Sequence, residues 1–236
     1  MTIRWRLLSA SELPEGDDWL GPEEQKVLAG LRFPKRRLEW RLGRFVAKRA
    51  VSSFAGVDDL NRIQILAADD GAPEAWIDRQ KFDSAISISH RDGRAACVIS
   101  PGAGVGCDLE TVEPRSSRFV SDFFTEQERL GVETTGDAHR DRLVALTWSA
   151  KESVLKVLRV GLRRDTRSVE VELQDVEVAE SGWHTLRARS RPEGRTFRGW
   201  WRQEDAVVLT IVSDGGTASS FATTSAEPEP SPPRRS

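Results

Sequence analysis

The sequence predicts an α/β (α+β) protein made of two similar halves, and three observations carry that expectation. Amphipathic helices followed by alternating strands occur once in residues 1–110 and again in residues 111–213. Short turns between the strands favour antiparallel neighbours or a compact mixed sheet. Two helices, "LEWRLGRFVAKRAV" and "LTWSAKESVLKVL", can be laid side by side: Trp40 and Trp148 are each followed by a lysine eight residues on, Lys48 and Lys156.

Along the chain, Thr2 to Leu8 alternates as a first strand. The stretch "GPEEQKVLAGLRFPKRRLEWRLGRFVAKRAVSSFAG" places Leu28, Leu31, Leu38, Leu42, Phe45, Val46 and Val51 at helical spacing. Pro34 divides it into two helices and Gly56 stops the second. Strands "RIQILAA", "SAISISH", "RAACVIS" and "GVGCDLE" follow, the first closed by the turn "DDGAP". In the second half, Thr125 and Glu128 form a capping box at the start of "EQERL". The strongest helix is "RDRLVALTWSAKESVLKVLRVG", with Leu143, Leu146, Val154, Leu155 and Leu158 on its apolar stripe and Gly161 as its stop. "RSVEVEL", "WHTLRARS", "RTFRGWWRQ" and "AVVLTIVS" read as strands, and residues 214–236, rich in Gly, Ser, Thr and Pro, as a disordered tail.

Composition removes several classes of function. Of the 236 residues, 35 are Lys or Arg against 37 Asp or Glu, a net charge of -2 that argues against a nucleic-acid binder. Cys97 and Cys107 have no zinc-site spacing and read as small core residues of a reducing compartment. No apolar run reaches the length of a membrane span, and the N-terminus lacks a signal-peptide pattern, so a cytoplasmic protein is expected.

The residues suited to chemistry fall in a few short stretches. Asp108 and Glu110 are two apart on a strand, so they share one face while Leu109 turns to the other. Two carboxylates on one face repel unless a cation or a proton lies between them, and Mg²⁺ is a natural oxygen-binding partner. The same pair also suits a solvent-facing acidic turn paired with Arg115 or Arg118. Glu152 and Lys156 are spaced for a helical ion pair, with Lys151 beside them. A third carboxylate at Glu152 would complete a metal site, and Lys156 would set a positive charge against a polyphosphate. Ser89 and His90 end an alternating strand, and Lys35, Arg36, Arg37, Arg41 and Arg44 make a basic helix face suited either to solvent or to phosphate.

In their order, "SISH", "GVGCDLE", "FFTEQE" and "WSAKESVLK" resemble the 4′-phosphopantetheinyl transferases of the surfactin-synthetase-activating type, over roughly Pro22 to Val212. The resemblance implies two pseudo-twofold-related subdomains with the active site in the cleft between them. It implies Mg²⁺-dependent transfer of the 4′-phosphopantetheine arm of coenzyme A to a serine of an acyl- or peptidyl-carrier protein, with release of 3′,5′-ADP. Fatty acid, polyketide and nonribosomal peptide carriers all remain open. Residue by residue, it implies Asp108, Glu110 and Glu152 as Mg²⁺ ligands. Glu152, directly or through a water, matches the base for the carrier serine, and Lys156 the lysine that meets the pyrophosphate and protonates the leaving group. Ser89, His90 and Lys151 face coenzyme A phosphates, and Arg37 and Arg44 are expected at the 3′-phosphate. The chain departs from the family pattern at Ala72, where a base is common, and at Ser87, where Asn is usual. Two halves in one chain lead us to expect a monomer. The competing expectations are a non-catalytic coenzyme A or carrier-binding protein and a Mg²⁺-dependent phosphohydrolase.

Overall fold

The structure is a computed structural model that describes residues 2–177, 182–215 and 220–223. Its elements are β1 (Thr2–Ser9), α1 (Pro22–Gly30), α2 (Pro34–Ala55), β2 (Ile63–Ala67), β3 (Pro73–Ile77), β4 (Gln80–Lys81), β5 (Ala85–Arg91), β6 (Arg94–Ser100), β7 (Val105–Thr111), α3 (Ser117–Phe123), α4 (Glu126–Thr134), α5 (Asp137–Val157), β8 (Val169–Leu173), β9 (His184–Ser190), β10 (Arg195–Glu204), β11 (Val207–Ser213) and β12 (Ser220–Thr223). The mixed α/β class expected from the periodicities is the one observed. One sheet runs β12-β1-β6-β5, a second β7-β11-β10-β9-β8, and β2-β3-β4 make a third.

Strand alternation assembles these elements into layers. Along β6, Ala95, Cys97 and Ile99 pack under α2 with Leu42, Val46, Ala50 and Val51. Ala96 and Val98 face the other way, onto Val105, Cys107 and Leu109 of β7 and Val207, Leu209 and Ile211 of β11. Along β11, Val208 and Val212 pack under α5 with Leu146, Ala150 and Val154. Each half therefore sets one long helix on one sheet, and the two sheets share an apolar layer. Gly106 makes this possible beneath α5, because a Cβ there would meet the backbone oxygen of Ser153 at 2.0 Å. The edge strands β5 and β7 are stitched by serines: Cys107 N–H donates to Ser87 Oγ at 3.0 Å and Leu109 N–H to Ser89 Oγ at 3.2 Å.

The halves repeat one buried polar motif. In the first, Lys48 of α2 is fully buried, 2.5 Å from Glu24, and donates to the carbonyls of Trp19 and Leu60. Glu24 accepts from Gly21 N–H, as part of the α1 capping box, and from Ile65 N–H of β2. In the second, Lys151 of α5 is fully buried, 2.8 Å from Glu128, and donates to the carbonyls of Thr166 and Val169. Glu128 accepts from Thr125 N–H in the α4 capping box and from Val171 N–H of β8. The lysine that corresponds to Lys48 is thus Lys151. The side-by-side reading of Trp40–Lys48 with Trp148–Lys156 is offset by five residues from the register in which the halves repeat.

Three local features differ from expectation. Helix α5 ends at Val157, four residues before Gly161, because Arg159 already takes the left-handed conformation at φ 57°. The hairpin β3–β4 adds a strand pair after the "DDGAP" turn. Within the tail expected to be disordered, Ser220–Thr223 runs parallel to β1 with Ser220 opposite Thr2. That segment carries Phe and Thr, which favour strands, and β1 otherwise has an open edge. Residues 216–219 and 224–236 lie outside the described residues.

Candidate active site

The site forms where the edge of β5 meets β7 beneath the second half of α5. Leu109 is buried in the layer between the sheets, and Asp108 and Glu110 emerge on the opposite face, toward α5. Asp108 is only 3 % exposed. Its Oδ1 accepts from Ser89 Oγ at 2.8 Å and from Lys156 Nζ at 2.7 Å. Its Oδ2 is buried with no hydrogen-bond partner. Lys156 also donates to the Cys107 carbonyl at 2.9 Å.

Glu152, one turn before Lys156, faces Asp108. Burial first, and the Asp108 carboxylate next, push its pKa up to about 7. Burial also pulls Lys156 down, but Asp108 and the other neighbouring acids outweigh it and its pKa is raised. Glu110 is raised mainly by burial and then by Asp108, while Arg91 and Arg115 oppose the shift. Both of its oxygens are engaged: Oε1 accepts from Trp148 Nε1 at 3.1 Å and Oε2 from Arg115 at 3.2 Å.

An orphaned buried carboxylate oxygen beside a second carboxylate needs a proton or a cation. Asp108 and Glu152 are therefore a fitting oxygen donor pair for a divalent ion. Among the described residues no three of His, Cys, Asp and Glu converge as a ready-made cage. A hard cation such as Mg²⁺ needs only one or two carboxylates when substrate phosphates complete its shell.

The remaining expected residues divide. His90, at the end of β5, lines a cavity of about 220 Å³ with Arg36, Glu39, Trp40, Arg44, Gly71 and Pro73. Burial lowers its pKa. Arg44 belongs here: its guanidinium stacks 4.9 Å from the Trp40 ring, and its Nε is buried without a partner. Arg37 does not. It points to the end of α1 and donates to the carbonyls of Leu28 and Leu31 at 2.6 and 3.2 Å. Lys151 does not either, because it faces away from Asp108 into the Glu128 pocket. Adjacent residues on a helix point about 100° apart, so Lys151 and Glu152 cannot serve the same site. From the basic face read in the sequence, Arg36 rather than Arg37 joins Arg44 at the small cavity. Arg36, Trp40 and Arg44 follow one four-residue spacing, one turn ahead of the Trp40–Arg44 face.

A larger cavity of about 630 Å³ adjoins the first at Gly71 and Pro73. It is lined by Lys156, Ser87, Phe82, Arg159 and Arg163 among others. Arg159 reaches across from the end of α5 to grip Asp70 in the β2–β3 turn, at 2.6 and 2.9 Å.

Residues 104–212 match the family model of the 4′-phosphopantetheinyl transferase superfamily. The chain is 22% identical over 150 residues to the 4′-phosphopantetheinyl transferase HetI of Nostoc sp., covering 63% of this chain and 62% of that protein. It is 22% identical over 193 residues to the L-aminoadipate-semialdehyde dehydrogenase-phosphopantetheinyl transferase of Xenopus laevis, covering 74% and 63%. The chain thus spans a little over three fifths of the length of these two relatives. A crystal structure of holo-[acyl-carrier-protein] synthase from Thermotoga maritima aligns with a TM-score of 0.34 at 19% identity, covering 50% of this chain and 71% of that one. The segment that holds β7, α5 and the second sheet, with Asp108, Glu110, Glu152 and Lys156, is similar to the 4′-phosphopantetheinyl transferase superfamily.

Proposed function

We propose that this protein transfers the 4′-phosphopantetheine arm of coenzyme A to a serine of an apo acyl- or peptidyl-carrier protein and releases 3′,5′-ADP. We assign it to the surfactin-synthetase-activating type, with the two halves of one monomeric chain flanking the site. The observation that carries this reading is the buried Asp108 carboxylate facing the half-buried Glu152 beside Lys156, next to a cavity lined with Arg36, Arg44 and His90.

In the reaction the serine oxygen forms a bond to the phosphorus that carries the pantetheine arm, and the bond from that phosphorus to the 3′,5′-ADP oxygen breaks. Serine is a poor nucleophile at neutral pH and needs a base. Glu152, which faces Asp108, is the acceptor of the hydroxyl proton in this reading, directly or through a water. Lys156 holds its positive charge beside Asp108 and lines the larger cavity, where it can lend a proton to a departing oxygen. Ser89 fixes Asp108 by donating to Oδ1 and accepting from Leu109 N–H, which leaves Oδ2 free. Asp108 and Glu152 are the residues that would hold Mg²⁺, and Glu110, the third expected ligand, lies beside them. Bound there, the ion supplies neutralisation of the pyrophosphate charge. Arg44, with an unpartnered Nε against Trp40, and Arg36 suit an anionic nucleotide.

The test is to incubate the full chain with coenzyme A, Mg²⁺ and a panel of apo carriers, and to read the carriers by intact-mass spectrometry. Addition of the arm to at least one carrier is expected. Coenzyme A binding with no transfer across the panel would favour a non-catalytic binding protein. Release of 3′,5′-ADP without a carrier would favour a phosphohydrolase.

A further inference from the structure

We infer that the Arg159–Asp70 ion pair is a clasp between the two halves, which holds the β2–β3 turn as the shared wall of the two cavities and so sets the affinity for coenzyme A. The inference rests on the function proposed above and gives that site a positioning pair. Residues 68–72 form the turn. Gly71, with Pro73 just after the turn, lines both the cavity of about 220 Å³ that holds Arg36, Arg44 and His90 and the cavity of about 630 Å³ that holds Lys156. A ligand that spans the two cavities passes this turn. Inside it, Ala68 N–H donates to the Ala72 carbonyl at 2.9 Å and Gly71 N–H to the Ala68 carbonyl at 2.8 Å. Ala72 N–H donates to Asp70 Oδ1 at 3.0 Å. These bonds shape the turn but tie it to nothing beyond itself. Arg159 of the second half supplies a tie, because it donates to both oxygens of the same Asp70 carboxylate.

The backbone at Arg159 carries the second argument. At the end of α5, Val160 N–H donates to the Leu155 carbonyl and Arg159 N–H to the Lys156 carbonyl, both at 3.1 Å. This paired ending places one residue in the left-handed conformation, where glycine is usual. Arg159 stands there at φ 57°. Arginine costs more than glycine in that conformation, so the needs of the backbone do not account for it and the side chain does. Its guanidinium also lies 3.5 Å from Glu74, which Lys81 holds at 2.8 Å. The clasp is half-exposed, at 46% and 34%, and adds little to global stability. Hydrogen bonding to Arg159 holds the Asp70 carboxyl well below the usual carboxylate range, which keeps the pair charged at any working pH.

Two measurements on the full chain test this. One is calorimetry of coenzyme A binding with Mg²⁺ and no carrier; the other is amide hydrogen exchange of residues 68–72 without coenzyme A. Asp70→Asn should weaken coenzyme A binding by roughly three- to tenfold, because a turn that keeps the wall position only part of the time lowers affinity by that fraction. On charge alone the same variant would tighten binding of a polyanion, so the sign of the change separates the two accounts. Arg159→Gly should weaken binding at least as much and speed exchange at Gly71 and Ala72. It should leave Tm equal or higher, because glycine relaxes the helix end. The two substitutions together should cost no more than Arg159→Gly alone. Coenzyme A binding by Asp70→Asn as tight as the parent's or tighter, or losses that multiply in the double variant, would overturn the inference. So would turn exchange that is unchanged in Arg159→Gly, whether or not coenzyme A binds; should that variant fail to fold, Arg159→Gln is read in its place. A parent protein that does not bind coenzyme A would overturn the function proposed above, and the exchange result would still decide whether the clasp holds the turn.

Discussion

Replacing Glu152 by Gln should stabilise the cation-free protein in alkaline buffer while it abolishes transfer. The folded-state pKa of Glu152 is raised from 4.5 to about 7, by burial first and by Asp108 second. Between those two values the folded protein holds a proton that the unfolded chain has lost. Stability attributable to this residue is therefore lost as pH rises from about 4.5 to about 7, and stays lost above that. At about 1.4 kcal/mol per unit, the full shift, in which the attraction of Lys156 is already counted, caps the effect at about 3 kcal/mol; part of that is lost by pH 5, so we expect a change of about 2 kcal/mol between pH 5 and pH 8. Gln has the same shape and never ionises, so the variant escapes this cost. Urea unfolding in the presence of a chelator, at pH 5 and pH 8, reads the difference directly. The lead of the variant over the parent should be small at pH 5 and should grow by about 2 kcal/mol by pH 8, or roughly 4–8 °C in Tm. Stability curves that stay parallel from pH 5 to pH 8, or a variant that is weaker at pH 8, would refute the facing-carboxylate geometry.

Other substitutions separate the roles of neighbouring residues. Lys156→Ala should lower the rate of transfer by roughly a hundredfold or more and weaken coenzyme A binding far less, as read by single-turnover mass spectrometry beside calorimetry; a pure affinity loss would contradict its part in the chemistry. Lys151→Met should leave Glu128 a buried charge without its counter-ion, and should destabilise the fold by about 3 kcal/mol in urea unfolding, while transfer by the protein that remains folded persists. Arg36→Ala should weaken coenzyme A binding by roughly tenfold in calorimetry, whereas Arg37→Ala should leave affinity near the parent value and lower Tm.

What the sequence revealed depended on whether a signal was local. Helix caps are local, and Thr125 with Glu128 was legible for that reason. The alternation of "GVGCDLE" was enough to put Leu109 on one face of the strand and the two acids on the other. The resemblance of "WSAKESVLK" then supplied Glu152 and Lys156, and both stand beside Asp108. Lys151 misled because its surroundings come from far along the chain: Glu128, Thr166 and Val169 approach it only in the fold. The same is true of Lys48, whose partner Glu24 lies across the α1–α2 turn. Buried lysines carry no mark in a single sequence, so the true register of the internal repeat could not be seen. Arg37 misled in a different way. Two adjacent arginines on a helix point to different faces, and the sequence alone did not say that Arg37 turns to the carbonyls ending α1 while Arg36 turns to the cavity. The pairing of Glu110 with Arg115, by contrast, was present among the alternatives for the acidic turn. It occurs together with the site rather than in place of it.

The central claim is that Asp108 and Glu152 form one carboxylate pair that carries phosphopantetheine transfer. The most direct measurement is the intact mass of an apo carrier after reaction with coenzyme A and Mg²⁺, for the parent protein, Asp108→Ala and Glu152→Ala, with folding of each checked by circular dichroism. The account predicts full conversion of the carrier by the parent protein and none by either folded variant. Conversion that persists in both variants would contradict it.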